Sequence, residues 1–204
     1  MQVFQSRLIP LLCTLALAAG AAQIPAQQKL SNQDATRFAA KLAQIEKNSV
    51  IPRKAGAARS TQVSDTEVNA YLRYLAGPQI PVGIAEPYLR GVGNGRVTGS
   101  AIVDLDAVRT QKQRGWLDPL GYLTGRLPIT AAGTLTTSKG VGRFQFESAE
   151  ISGVTIPKSL LQELLTYYSR TPENPAGINM DEPFELPSGI QEIRIGQGTA
   201  VIVQ

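Results

Sequence analysis

Two carboxylates stand at positions i and i+2, at Asp104 and Asp106. This spacing puts both on one side of a strand, and a pair of carboxylates can act as acid and base on a glycosidic bond. Such a pair normally comes from separate elements that flank the sugar, so the spacing favours a structural role. We expect Asp106 to cap a short helical turn that runs to Arg114. A carboxylate-dependent hydrolase stays open as a third hypothesis.

Two other clusters are weaker candidates for chemistry. Asp181, Glu182 and Glu185 carry oxygen ligands suited to Ca²⁺, but they lack EF-hand spacing and favour a solvated acidic loop. The glycines of residues 91–95 do not make a dinucleotide motif, because Arg96 and a strand follow Gly95. They indicate a hairpin turn instead.

The composition excludes several other classes of catalytic site. The chain has no histidine, which removes imidazole triads, histidine-ligated zinc and histidine acid–base chemistry. No serine has glycines two residues before and two residues after it, and none has a lysine three residues after it, so both motifs common in exported serine enzymes are missing. Thr136 with Lys139 is the nearest match. We therefore predict a protein that is not an enzyme and needs no cofactor.

Residues 1–26 have the pattern of a secretory signal peptide. Arg7 precedes an apolar run from Leu8 to Ala19, and small residues allow cleavage after Ala22 or Ala26. Cys13 lies inside the run, where a lipoprotein cysteine would not stand, and it is the only cysteine. We predict a periplasmic or secreted protein whose mature chain has no disulfide. An uncleaved membrane anchor is the alternative.

Charge is distributed unevenly along the chain. Residues 23–64 carry a net charge of +5, whereas residues 145–204 carry −5. Arg53, Lys54 and Arg59 suit contact with an anionic surface such as lipid headgroups, although a solvated linker has the same composition. No aromatic residue stands among them for base stacking, so nucleic acid is not a predicted partner.

Two helices are predicted before the first long strand. Ser31 and Asp34 indicate the start of one, whose apolar stripe runs to about Lys47. Ser64 and Glu67 form a capping box for the next, which ends at residues 77–78. Residues 48–62 have no periodicity and are predicted to be a linker. We accordingly assign residues 27–62 to an N-terminal helix and basic linker, and residues 63–204 to a single domain.

From Ile84 the pattern changes to alternating strands. A hairpin turn is predicted at residues 94–95, long strands follow residues 95, 125 and 140, and a last hairpin turns at residues 196–198. A leucine-rich helix from Lys158 to Ser169 has an apolar stripe wide enough to lie on a sheet. The predicted fold class is α+β, with a curved, mainly antiparallel sheet wrapped around helices.

The apolar side of these strands is the feature most open to a functional interpretation. Gly99, Ala101, Ala131 and Gly133 are small and would leave room beneath larger neighbours. Burying one methylene contributes about 0.8 kcal/mol, so a groove here could hold an acyl chain without polar chemistry. The alternative is that the sheet and the helix close on each other and leave no groove.

The order of motifs resembles a known type of exported bacterial protein. It is carried by Thr66–Leu72, Val103–Asp106, Gly153–Pro157 with Leu160–Leu165, and Leu186–Pro187 with the last hairpin. Together these resemble the tubular lipid-binding proteins, including the LmeA-like and YceB-like envelope proteins, over residues 63–204. The resemblance implies an elongated curved sheet around a helix, a groove for phospholipid or another amphiphile, and no catalytic residues.

These observations combine into one functional hypothesis and an alternative. We expect a lipid or other amphiphile in a groove between sheet and helix, with the basic residues guiding contact with an anionic membrane. The alternative is a structural or adaptor protein of the envelope with a solid core and a protein partner bound by loops such as residues 170–188. The predicted ligand-binding residues are Ala101, Ile129, Phe144, Phe146, Leu161, Leu164 and Leu165.

Overall fold

A computed structural model describes residues 29–51, 58–110, 124–170 and 174–204 of the chain. The predicted signal peptide with Cys13, and the docking residues Arg53 and Lys54, lie outside the described residues. The helices are α1 (Asn32–Val50), α2 (Asp65–Tyr74), α3 (Leu105–Thr110) and α4 (Lys158–Ser169), with a 3₁₀ turn at Gly77–Gln79. The strands are β1 (Ser60–Ser64), β2 (Ile84–Gly93), β3 (Arg96–Asp104), β4 (Arg126–Ser138), β5 (Val141–Ile151), β6 (Val154–Thr155), β7 (Phe184–Glu185), β8 (Glu192–Ile195) and β9 (Thr199–Val203).

The strands form two antiparallel sheets. The smaller has the order β1-β9-β8, and the larger has the order β2-β3-β4-β5-β6 with β7 beside β5. The predicted fold class, α+β with a mainly antiparallel sheet, is confirmed. Among the described helices, none combines the length and the apolar character that crossing a membrane requires.

Both predicted helix starts are confirmed. The Ser31 side chain accepts a hydrogen bond from the backbone N–H of Asp34 at 3.2 Å and begins α1. At α2 the capping box is complete, because Ser64 Oγ accepts from the Glu67 N–H at 3.2 Å while Glu67 Oε2 accepts from the Ser64 N–H at 3.0 Å. Each bond satisfies a donor that the first turn of a helix leaves without an internal partner.

The predicted linker is wrong over residues 48–50, which belong to α1, and over residues 60–62. Residues 60–62 begin β1, which pairs antiparallel with β9 and crosses the predicted boundary between residues 62 and 63. The Gln204 side chain then joins β9 to α1, donating to the Ile45 carbonyl at 2.8 Å and accepting from Asn48 Nδ2 at 3.0 Å. The partner of β1 lies about 140 residues away in the sequence, so no local pattern could reveal this strand.

The long hairpins agree with the sequence prediction. Asn94 and Gly95 have φ of +53° and +80°, as a tight two-residue turn between β2 and β3 requires. β4 begins at Arg126, and the turn into β5 lies at Lys139 and Gly140. Near residue 193 the two sheets are joined, because Thr137 Oγ1 donates to the Ile193 carbonyl at 3.0 Å and accepts its N–H at 2.7 Å.

The larger sheet has two chemically different faces, because residues opposite each other in antiparallel strands share a face. The apolar face consists of Val97, Ala101, Val103, Leu127, Ile129, Leu135, Phe144, Phe146 and Ile151. The polar face consists of Thr98, Ser100, Thr130, Thr136, Arg143, Gln145 and Glu150. Alternation with period two therefore sorts the side chains as the sequence predicted.

Candidate functional site

The strand residues predicted to bind a ligand lie together on the apolar face. Ala101 is directly opposite Ile129, and Ile129 is directly opposite Ile151. Phe146 lies opposite Gly133, and Phe144 lies two pairs further along, opposite Leu135. The structure thus brings the four predicted sheet residues onto one surface of β3, β4 and β5.

Helix α4 lies against β5 and supplies the leucines. Its start is fixed by Ile156, which is buried and donates its N–H to the Ala149 carbonyl at 2.9 Å. Leu164 is buried, whereas Leu161 and Leu165 are only half-buried. Helix α4 therefore contacts β5 with Leu164 buried and the neighbouring leucines partly accessible.

The larger side chains of the apolar face are incompletely buried, as are Phe38, Leu42 and Leu72 on α1 and α2. The nine residues named above are half-buried, whereas Ala149 and Thr137, which share the face, are buried. A closed core of this size would hold several large side chains below a few per cent exposure. Apolar area on these strands consequently remains within reach of solvent or of a bound molecule.

The structure corrects the expectation that small residues leave open space. A methyl group on Gly133 would overlap the ring of Phe144, which lies across this position. At Gly99 an added Cβ would come within 3.3 Å of Leu89 Cδ2. The chain's own side chains fill the space at both glycines, as an aromatic ring commonly does over a glycine in a sheet.

The two candidate carboxylates have structural partners. Asp104 Oδ1 accepts from the Ala107 N–H at 3.0 Å, so Asp104 caps α3 and the prediction that Asp106 is the cap is wrong. Asp106 Oδ2 instead accepts from the Gly125 N–H at 3.0 Å. The cap lies two residues earlier than predicted, because β3 ends at Asp104 and the helix begins at Leu105.

The acidic cluster after α4 also makes contacts within the chain. Asp181 forms an ion pair with Lys158 at 2.5 Å, and Glu182 accepts from Asn179 Nδ2 at 3.0 Å. Within the described ranges, no three carboxylates are grouped closely enough to hold a metal ion. The side chains thus fasten the segment after α4 to the start of that helix.

Sequence reasoning missed the most deeply buried polar contact, at the edge of β2. Asn69 is 1% exposed, and its amide group donates to the Leu89 carbonyl and accepts the Leu89 N–H, both at 2.7 Å. One helical turn earlier, Asp65 Oδ2 accepts from the Gly91 N–H at 2.9 Å. Helix α2 thus supplies side chains in place of a neighbouring strand and protects the edge. The i, i+4 spacing of these polar residues was the available signal.

The pKa values of Asp65 and Glu67 are shifted in opposite directions. Burial raises the pKa of Asp65, against the lowering effects of the Gly91 N–H and the charge of Arg90. Burial alone would also raise the pKa of Glu67, but hydrogen bonds from Lys41 and from the Ser64 backbone hold it below its ordinary value. The Lys41 ammonium lies 2.8 Å from both Glu67 oxygens.

The one predicted docking residue that the structure describes, Arg59, makes local contacts. Its guanidinium donates to the Asn48 carbonyl at 3.2 Å, and its backbone pairs with Gln204. This places Arg59 beside the end of α1, where Val50 and Ile51 are exposed.

Two cavities are lined by residues other than the seven predicted to bind a ligand, although Gly99 and Ala131, which were expected to leave room in the groove, line the smaller one. A cavity of about 540 Å³ between α1, β1 and α2 is lined by charged groups that include Lys41 and Glu67. A second, of about 230 Å³, lies on the larger sheet and is lined by residues that include Tyr88 and Thr130. None of the seven predicted ligand-binding residues lines either cavity.

Comparison with known proteins gives little guidance. No protein-family model and no curated protein matches the chain. A solved structure described as the crystal structure of lipopolysaccharide binding protein aligns with 15% identity and a TM-score of 0.23, over 76% of this chain. The chain spans 45% of that protein's length. A likeness of this size carries no argument about fold or function.

Proposed function

We propose that this protein is an exported, non-catalytic protein that binds a lipid or other amphiphile on the apolar face, beneath α4. The observation that supports this proposal most is that the nine apolar residues named above for this face are only half-buried. An acyl chain laid there would complete their burial and would need no polar partner. At about 25 cal/mol per Å², covering a few hundred Å² is enough for useful affinity.

The position of the ligand follows from the residues that remain accessible. Ala101 and Ile129 lie opposite each other without a bulky residue between them, and Leu161 and Leu165 are half-buried on α4. Gly133 is covered by Phe144, so a chain would run along the other end of the face. We place the ligand between Ala101, Ile129 and the accessible leucines of α4.

Membrane contact is part of the same proposal. Arg59 lies beside the exposed Val50 and Ile51, and Lys47 is in the last turn of α1. Apolar side chains among cations suit the boundary between anionic headgroups and acyl chains. We propose that this end of α1 contacts the membrane from which the amphiphile is taken, in the periplasm or outside the cell.

Native mass spectrometry of the purified full chain tests the proposal. We expect adducts whose mass corresponds to a lipid, which disappear in Ala101→Phe because the new ring fills the space opposite Ile129. Thr136→Phe is the control, since it adds the same ring to the polar face of β4. Protein without adducts, and without transfer of labelled phospholipid between vesicles, would refute it.

A structural or adaptor role is the second candidate. Ile178 and Phe184 are exposed in the segment after α4, and Gln162 fixes its backbone by donating to the Ile178 carbonyl at 2.9 Å and accepting the Met180 N–H at 2.8 Å. Apolar groups on a fixed backbone suit a protein partner. Crosslinking from Ile178 to one partner, with no bound lipid, would select this role.

A further inference from the structure

A shallow trough crosses the polar face of the larger sheet, on the opposite side from the proposed lipid site. Its volume is about 230 Å³. Two complete cross-strand rows form it, one running Tyr88, Ser100, Thr130, Glu150, and the other Arg90, Thr98, Ala132, Ser148. The middle residues of both rows are small, while Tyr88, Arg90 and Glu150 at the ends are long. The trough therefore has higher walls and a mostly apolar floor, which includes Gly99 and Ala131 and carries the hydroxyls of Ser100 and Thr130.

The residues at the two sides of the trough lie next to β-bulges in the sheet. Glu86 and Pro87 form a bulge directly before Tyr88, and Glu86 has φ of +51°. Across the sheet, Glu147 is the extra residue of a second bulge next to Ser148. Bulges bend a strand and redirect side chains, and they are frequent beside binding sites. Here one bulge lies at each side of the same trough.

Some polar side chains of the trough have no protein partner among the described residues, whereas Arg90 interacts with the Asp65 carboxylate. Within the described part of the chain, the hydroxyls of Ser100 and Thr130 form no hydrogen bond, and Glu150 forms no ion pair. Tyr88 is 46% exposed, so one face of its ring is free for stacking. The lining thus offers hydroxyls that both donate and accept, an aromatic surface, and one group of each charge.

These features select a chemical class of ligand. The floor exposes mostly apolar surface around its hydroxyls, so a ligand must offer both apolar C–H surface and hydrogen-bonding groups. Arg90 and Glu150 stand on opposite walls and in different rows, so the floor between them favours no single charge. A neutral, polyhydroxylated ring satisfies both conditions and can stack on Tyr88. The volume lies below that of drug-sized pockets, so one ring fits rather than a chain.

We propose that this trough binds a single neutral sugar ring, stacked on Tyr88 and hydrogen-bonded by Ser100 and Thr130. The ring can belong to a glycolipid headgroup or to a free saccharide, since the recognising chemistry is the same. The site is independent of the proposed lipid site, because the two lie on opposite faces of the sheet.

Amide chemical shifts of the ¹⁵N-labelled full chain test this site, with glucose, galactose and N-acetylglucosamine as probes. We expect saturable shifts at Ser100 and Thr130 with at least one sugar. Tyr88→Ala should weaken binding at least about tenfold, the loss of a stacking contact. Tyr74→Ala is the matched control, because Tyr74 is similarly exposed at 40% but lies on α2.

A second variant protects the test from a folding defect. If Tyr88→Ala does not fold, Ser100→Val removes a floor hydroxyl with little change in volume and should also weaken binding. Shifts with vesicles that contain a glucosylated lipid, but none with free sugars, would assign the ring to a headgroup. No saturable shift with any probe, or equal weakening by Tyr74→Ala and Tyr88→Ala, would overturn the proposal. Neither result alters the lipid adducts expected from the apolar face.

Discussion

Two regions of this chain bury their side chains by different means. Around α1, α2 and β1, some small and medium side chains are fully buried, with Ala35 and Ala70 at 0% exposure and Ile45 at 3%, although a cavity of about 540 Å³ also lies between these elements. Buried polar groups there, Asn69 and Gln204, have hydrogen-bond partners. The apolar face of the larger sheet has longer side chains, yet all remain half-buried.

The difference separates the part that fixes the fold from the part available for binding. In the first region the buried polar groups of Asn69 and Gln204 are satisfied within the chain, so they need no ligand. The apolar face retains surface that another molecule can cover, and covering it contributes favourable free energy. Mutations should therefore have large effects on stability in the first region and small ones on the apolar face.

The largest effect is expected at Ile45. Ile45→Ala should lower the free energy of unfolding by about 3 kcal/mol, because it leaves a cavity in a closed site. Urea unfolding measures this, with Ile51→Ala as the control, since Ile51 is 40% exposed and should cost less than about 1 kcal/mol. Equal effects at the two isoleucines would contradict the closed character of this region.

The second largest loss of stability is expected on removing the contact between Asn69 and the edge of β2. Asn69→Ala leaves the N–H and the carbonyl of Leu89 without their partner, at an expected cost of about 2 kcal/mol. Amide hydrogen exchange at Leu89 should also accelerate. The exposed Asn32→Ala is the control. Unchanged exchange at Leu89 would show that Asn69 does not protect the strand edge.

A smaller, pH-dependent effect is expected at Glu67. Its pKa in the folded protein lies below its ordinary value of 4.5, so its contribution is present above that pH and is lost as the pH falls through the lowered pKa. Glu67→Gln should cost about 1 kcal/mol at pH 7, and the difference from the original chain should shrink towards pH 3. A difference independent of pH would refute this account; Glu46→Gln serves as the exposed control.

The effect expected on the apolar face is no larger than that at Glu67 and well below that at Ile45. Ile129→Ala should cost about 1 kcal/mol in lipid-free protein, because a half-buried side chain leaves little cavity when it is truncated. Urea unfolding beside Ile45→Ala gives the comparison directly. A cost equal to that at Ile45 would mean that the face is a closed core.

The sequence predicts local structure well here. Helix caps and tight turns depend on neighbours within four residues, so Ser31, Ser64 and the turn at Asn94 were predictable. Alternation likewise assigned the faces of β3, β4 and β5.

Contacts between distant segments were not predictable. β1 pairs with β9, and Asn69 caps the edge of β2, through partners that no local pattern specifies. The ring of Phe144 over Gly133 depends on the register of β4 against β5 and on the bulge at Glu147. Sequence alone therefore identified the apolar face, whereas the space left on it required the structure.

Photocrosslinking with a phospholipid that has a diazirine in its acyl chain tests the central claim most directly. The account predicts that peptide mass spectrometry will find the crosslinks on β3, β4 and α4, near Ala101, Ile129 and Leu165, and that Ala101→Phe will reduce them. Crosslinks confined to the end of α1, or spread evenly over both faces of the sheet, would contradict it.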